Sequence, residues 1–278
     1  LLSGGVSILI EFWHYIYSNF DPIAFEVFSI KVHWYGIMYV TALLSSFFFA
    51  KWIVKKDKLA ISNNQIDDYF LWVEIGVILG ARLGYVFFYS DHKDYYLSNP
   101  IQIFNPFSNG EFIGISGMSY HGALIGFLIA SYLFSLKNKV SLLFLLDLVA
   151  ISVPVGYVFG RIGNFLNQEL VGRATDMPWG IYVYETLRHP SQLYEAFLEG
   201  VVIFFVLFAW RKWKKFDGEL AMLYTILYGL ARSVAEIWRE PDIQLGFIYG
   251  NWLTMGQALS FGMIFIGIVG YLYLERKN

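Results

Sequence analysis

The chain has 278 residues, of which 57% are hydrophobic, 20% aromatic and only 15% charged, with a mean hydropathy of +0.51. Such a composition excludes an ordinary soluble domain and is that of an integral membrane protein. A net charge of -2 excludes a broad basic field for nucleic acid, and the absence of cysteine excludes disulfides, thiolate metal sites and an internal cysteine nucleophile.

Along the chain, no charged n-region precedes a cleavage site, so no removable signal peptide is expected. The segment from Phe12 to Phe28 contains Asp21, Pro22 and Glu26 and reads as an interfacial lead-in whose aromatics suit the headgroup level. Seven apolar stretches then approach the roughly 20 residues needed to cross a bilayer core. They lie near 33–53, 67–89, 117–136, 142–160, 191–210, 219–238 and 252–272. The expected fold class is an all-α integral membrane protein, a bundle of seven transmembrane helices in one polytopic domain over 1–278. Its outer loops are expected at about 90–116 and 161–190.

Lysine and arginine are retained on the cytoplasmic side and set the orientation. Loops on one side collect Lys51, Lys55, Lys56, Lys58, Lys137, Lys139, Arg211, Lys212, Lys214, Lys215, Arg276 and Lys277. The other side holds Lys31, Lys93, Arg161, Arg173, Arg188 and Arg239, while Arg82 and Arg232 fall within spans. The amino terminus is therefore expected outside and the carboxyl terminus in the cytoplasm. Arginines in the outer stretch GRIGNFLNQELVGR (160–173) are then unexplained by topology.

The polar residues follow the same chain order. Tyr35 stands in VHWYGIMY at the start of the first span, where an aromatic belt is the plainer reading. Arg82 lies within the second span between Gly80 and Gly84, and either anchors a lipid or holds helices together. His121, in GMSYHGALIG, is flanked by small residues that admit a neighbouring helix or a lipid, and an imidazole near neutrality can accept a proton from a nucleophile. In the stretch 160–173, Arg161 offers a planar fork of donors that matches phosphate oxygens, with Asn164, Asn167 and Glu169 close by. A helix-end arginine reaching to headgroups explains the same residues, and Arg173 reads as a surface charge. His189 precedes the proline that opens the fifth span. In LYGLARSVAEIWREPD, Tyr228, Arg232 and Glu236 are spaced four apart on one helix face, with Arg239 following on nearly the same side. Either the pair glues helices or it offers donors to a ligand. Five histidines without paired spacing give no metal site, and no cofactor is expected.

These strings resemble the prolipoprotein diacylglyceryl transferase family. The matching runs are HWYG at 33, GxRxGY at 80, YHGALIG at 120, GRIGNFLNQELVGR at 160, PWG at 178, HPSQLYEA at 189, ARSVAEIWREPD at 231 and LTMGQALS at 253. They occur in family order over nearly the whole chain. The resemblance implies transfer of the sn-1,2-diacylglyceryl group from phosphatidylglycerol to the lipobox cysteine of a prolipoprotein, at the outer leaflet of the bacterial plasma membrane. A thioether forms and glycerol 1-phosphate leaves, with the sulfur supplied by the substrate. It further implies functional roles for Tyr35, His121, Arg161, Asn164, Glu169, Gly172, Tyr228, Arg232, Glu236 and Arg239. In that reading Arg161 and Arg232 clamp the phosphate, Tyr35 and Asn164 orient the headgroup, Glu236 and Glu169 hold the arginines, and His121 is the base. Between Gly180 and His189 the chain has only IYVYETLR, shorter than in many members, and Gln168 stands where relatives often have glycine.

A lipid flippase or anion transporter is the alternative that also wants arginines in a membrane cavity, although the internal repeats of such proteins are absent from this sequence. Polyprenyl-phosphate transferases call for an acidic metal cluster and intramembrane proteases for a catalytic dyad; here Asp147 stands alone.

Overall fold

The structure is a computed structural model that describes residues 10–28, 30–108, 111–112, 114–115, 117–241, 246–250 and 252–278. The long helices are α1 (Trp34–Asp57), α2 (Asn63–Phe88), α3 (Tyr120–Asn138), α4 (Leu142–Leu166), α5 (Ser191–Trp213), α6 (Glu219–Ala235) and α7 (Met255–Lys277). Five of them, α1, α2, α4, α5 and α7, are long and apolar enough to cross a membrane. Helices α3 and α6 coincide with the third and sixth expected spans but fall outside that measure, α6 having 17 residues. Large apolar side chains such as Phe48, Leu71, Ile125 and Phe265 are exposed, as on a surface that faces hydrocarbon.

Helix starts follow their local chemistry. Ser62 and Gln65 form a reciprocal capping box on α2, at 3.2 and 3.0 Å, and Thr254 and Gln257 do the same on α7, at 3.1 Å each way. Helix α5 is composite: an α-helical turn over Ser191–Glu195 passes into a π-helical run over Ala196–Val202, then returns to α-helix from Ile203. The connections are less purely irregular than an all-α description implies. Four two-stranded antiparallel hairpins occur among the described residues, and they satisfy backbone groups that no helix can pair. The short run 181–188 is one of them, Ile181–Val183 against Thr186–Arg188, with Tyr184 fully exposed at its tip.

The chain divides into two compact units, one made of residues 1–52 and 147–278 and the other of residues 53–146. In the second unit α2 and α3 touch along glycines. A Cβ on Gly80 would lie 2.8 Å from Gly126 Cα, and one on Gly84 would lie 2.7 Å from Gly122 Cα, so only glycine permits this approach. The small residues around His121 thus admit a helix.

In the first unit the lead-in is more than an interfacial aromatic segment. Tyr17 packs with Phe165 and Ile181 in a buried cluster that also takes in Trp13, Ile16 and Leu193. Its burial pushes the Tyr17 hydroxyl pKa up. Asp147, isolated in sequence, is buried and accepts hydrogen bonds from the Gly218 and Ala221 amides at 2.8 and 2.9 Å while pairing with Lys214 at 2.8 Å. One carboxylate therefore pins the start of α6 to α4. Asp147→Ala should lower stability by about 3 kcal/mol, because it leaves two buried amides without an acceptor and takes from Lys214 one of its two carboxylate partners, Asp217 remaining at 2.9 Å. Thermal unfolding of the detergent-solubilised protein checks this, and an unchanged midpoint would remove the pinning role.

Candidate active site

Helix α4 does not stop at residue 160 as the sequence reading places it; it continues to Leu166. Gly160 and Gly163 are inside the helix rather than breaking it. Gly163 permits α1 to approach, since a Cβ there would meet Met38 at 3.1 Å and the Tyr35 ring at 3.4 Å. Arg161, Asn164 and Tyr157 consequently share one helical face, spaced three and four apart.

Arg161 donates from Nε and Nη2 to the Tyr157 hydroxyl at 2.8 and 2.6 Å, and from Nη1 to Asn164 Oδ1 at 3.2 Å. Asn164 in turn donates to Glu169 Oε1 at 2.7 Å, and Asn167 to Glu169 Oε2 at 3.1 Å. Glu169 therefore holds Asn164, and only through it Arg161, rather than gripping the arginine itself. Arg232 pairs with Glu236 as its spacing predicts. Glu236 also accepts from the Thr254 hydroxyl at 2.8 Å, and a Cβ on Gly256 would fall 2.7 Å from its Cδ. The threonine and glycine of LTMGQALS thus form the seat of that carboxylate.

Two residues that the sequence reading passes over join these halves. Glu195 and Glu199 of α5 are fully buried. Glu195 Oε2 lies 2.9 Å from Arg161 Nε and 3.2 Å from Arg232 Nη1, and its Oε1 lies 3.4 Å from Arg239 Nη1. Glu199 lies 3.9 Å from Arg161 Nη2 and 3.6 Å from Arg232 Nη1, and it accepts from the Tyr157 hydroxyl. Gly200 lets α5 come this close to α4, because a Cβ there would meet Val158 Cγ2 at 2.5 Å. A usable signal was present: two carboxylates four residues apart inside an apolar stretch demand partners.

Arg232 Nη1 is buried and makes no hydrogen bond within the chain, despite its ion-pair distance to Glu195 and Glu199. The carboxylate oxygens that face it, Glu195 Oε2 and Glu199 Oε1, are likewise buried without a hydrogen bond, so the three groups compensate one another as ions. Tyr228 stands edge-on to Tyr157, with ring centres 5.9 Å apart, and so lines the same cluster.

Other expected residues serve the scaffold. Helix α6 ends at Ala235, so Arg239 reaches the cluster through the following turn and not along the helix face. Gly172 bridges Arg239 in the backbone and donates to the His189 carbonyl at 3.1 Å; a Cβ there would meet the Trp238 carbonyl at 2.8 Å. Its contribution is close backbone packing. Arg173 is no bare surface charge: Nε donates to the Arg239 carbonyl at 2.9 Å and Nη2 to the Glu236 carbonyl at 3.1 Å, which caps the end of α6. Gln168 adopts φ 58°, a conformation natural to glycine, and donates to the Tyr17 and Phe20 carbonyls at 3.0 Å each. His189 shares a hydrogen bond with the Tyr194 hydroxyl at 3.2 Å, and its pKa is lowered by burial, an effect Asp176 partly opposes.

Arg82 and His121 belong to the second unit. Arg82 is buried, donates to the carbonyls of Ile103 and Gly117 and to the Tyr96 hydroxyl, and lies over the Tyr85 and Tyr96 rings. That set describes an anchor for the segment between α2 and α3. His121 is exposed and shares a hydrogen bond with the Tyr89 hydroxyl at 3.2 Å.

Comparisons with known proteins bear on the chain as a whole. A model of the prolipoprotein diacylglyceryl transferase family matches residues 22–273. A phosphatidylglycerol-prolipoprotein diacylglyceryl transferase of Aliarcobacter butzleri is 61% identical over 96% of this chain and 98% of its own length. Proteins of the same name from Wolinella succinogenes and Campylobacter lari are 63% and 61% identical, each over 96% of this chain and over 97% and 99% of their own lengths. Matched over residues 22–273 and about 60% identical to these relatives over nearly its whole length, the chain belongs to the prolipoprotein diacylglyceryl transferase family.

Proposed function

We propose that this protein transfers the sn-1,2-diacylglyceryl group of phosphatidylglycerol to the lipobox cysteine of prolipoproteins. The observation that carries the reading is the pair Arg161 and Arg232, two buried guanidiniums gathered around Glu195, whose Oε2 lies 2.9 Å from one and 3.2 Å from the other. Two guanidiniums in a water-poor site suit the phosphodiester of an anionic lipid. The cysteine thiolate attacks the sn-3 carbon, a carbon–sulfur bond forms, and the carbon–oxygen bond to phosphate breaks with its electron pair. Glycerol 1-phosphate leaves carrying one more negative charge, and Arg161 and Arg232 stabilise that growing charge. Asn164 and Tyr35 orient the headgroup, Glu236 holds Arg232, and Tyr228, Glu169, Gly172 and Arg239 support the pocket. Arg82 serves as an anchor rather than a lipid ligand, since its donors go to carbonyls. His121 is taken as the thiol's base on the family motif alone.

The fuller arrangement is part of the same proposal: seven spans, amino terminus outside, carboxyl terminus in the cytoplasm, and a reaction at the outer leaflet of the plasma membrane. The charge census supports it.

Purified protein mixed with phosphatidylglycerol and a lipobox peptide should add a diacylglyceryl mass to the peptide. No gain, or an equal gain on a Cys→Ser peptide, would overturn the assignment and return the lipid-transporter reading. Arg161→Ala and Arg232→Ala should each lower kcat by about 100-fold or more; full activity of Arg232→Ala would sink the clamp. His121→Asn should keep residual activity that rises as pH approaches the free thiol's value of about 8.5, because solvent then supplies the thiolate. A flat pH profile for that variant would remove His121 as the base.

A further inference from the structure

Glu195 has no part in the transfer as set out so far, yet it touches all three guanidiniums of the cluster. One atom, Oε2, lies within 2.9 Å of Arg161 and 3.2 Å of Arg232, and the other oxygen lies 3.4 Å from Arg239. Like charges at such separation repel strongly away from water, so an anion between them decides how far apart they stand. Each of the two principal arginines also has a holder of its own. Tyr157 and Asn164 fix the Arg161 side chain, and Glu236 fixes Arg232. Those contacts orient each fork separately, but none spans both. Glu195 spans both through a single oxygen.

Glu199 supplies an internal comparison. It lies four residues on, equally buried and of the same residue type, yet it is 3.9 and 3.6 Å from the same arginines and accepts from Tyr157. It adds negative charge without bridging at short range. Charge balance alone would make the two glutamates equivalent, whereas geometry makes them different. The π-helical run that begins at Ala196 and contains Glu199 widens the helix at this place, a feature that often accompanies functional sites.

We infer that Glu195 is a positioning residue for the transfer: it sets the spacing of Arg161 and Arg232 so that both meet one phosphate. This rests on the reading of these arginines as the phosphate clamp. Glu195 touches no reacting atom and acts only through the guanidiniums. Misplacing a charged group by about 1 Å can cost about 100-fold in rate. The loss falls on kcat, because the match that matters is to the charge developed in the transition state.

The test uses the full-length protein in detergent with phosphatidylglycerol and a lipobox peptide, and compares Glu195→Gln, Glu195→Asp and Glu199→Gln with wild type. Melting temperature, kcat, and KM for the peptide are measured for each. Glu195→Gln should lower kcat about 100-fold with the peptide KM unchanged and the protein still folded, while Glu199→Gln should lose no more than about 10-fold. Glu195→Asp keeps the charge on a shorter arm and should recover part of the loss. Wild-type kcat in folded Glu195→Gln overturns the inference, as does an equal loss in both Gln variants, which is the mark of charge balance alone. If Glu195→Gln does not fold, Glu195→Asp decides: lowered kcat at an unchanged melting temperature supports the inference, and wild-type kcat overturns it. A wild-type protein that transfers nothing from phosphatidylglycerol defeats the underlying reading and the inference with it, and is told apart by that control.

Discussion

The constraint on which the rest depends is the cost of holding Arg161, Arg232 and Arg239 away from water. A charge at a helix centre costs about 2.5 to 3.5 kcal/mol on insertion scales, and a buried ion is tolerated only when paired and hydrogen-bonded. Glu195, Glu199 and Glu236 meet that demand; Glu236 stands four residues beyond Arg232 at the end of its own helix, whereas Glu195 and Glu199 must be brought in by α5. Helix α5 must lie against α4, which Gly200 allows, and the start of α7 must meet the end of α6, which Gly256 allows. At the beginning of α4, Asp147 fixes the start of α6 by the same logic of a buried carboxylate satisfied by donors. Electrostatic need and helix packing are one problem here, solved by small residues placed where charged side chains need room.

The same arrangement explains a division of labour among arginines that composition alone treats alike. Arg173 and Arg82 spend their donors on backbone carbonyls and hold segments of chain in place. Arg232 is held by Glu236 at Nη2, while its Nη1 faces Glu195 and Glu199 at ion-pair distance. A scaffold arginine is one whose fork is filled by main chain. A clamp arginine is one whose fork is held by side chains within the charged cluster, as in Arg161 and Arg232.

Much of this was legible in the sequence. Hydropathy marked the start of every long helix closely but several of the ends less well, and the Arg232 to Glu236 spacing announced its pair. The extension of α4 to Leu166 was not legible, because Gly160 and Gly163 look like breakers until Tyr35 and Met38 are seen against Gly163. Arg173 could not be placed, since its acceptors are carbonyls 66 and 63 residues away, which carry no sequence signature. Glu195 and Glu199 were available to inspection as two carboxylates in a greasy helix, but which arginines they serve is a matter of tertiary geometry.

The central claim is that a paired, buried arginine site recognises the phosphate of an anionic lipid. Thermal stabilisation of the purified protein by added lipid tests it directly, because a ligand that binds only the folded state raises its stability by mass action. The account predicts that phosphatidylglycerol raises the melting temperature of the wild type more than phosphatidylcholine does, and that this difference disappears in Arg232→Ala. An equal rise with both lipids, or a difference that survives in Arg232→Ala, would contradict it.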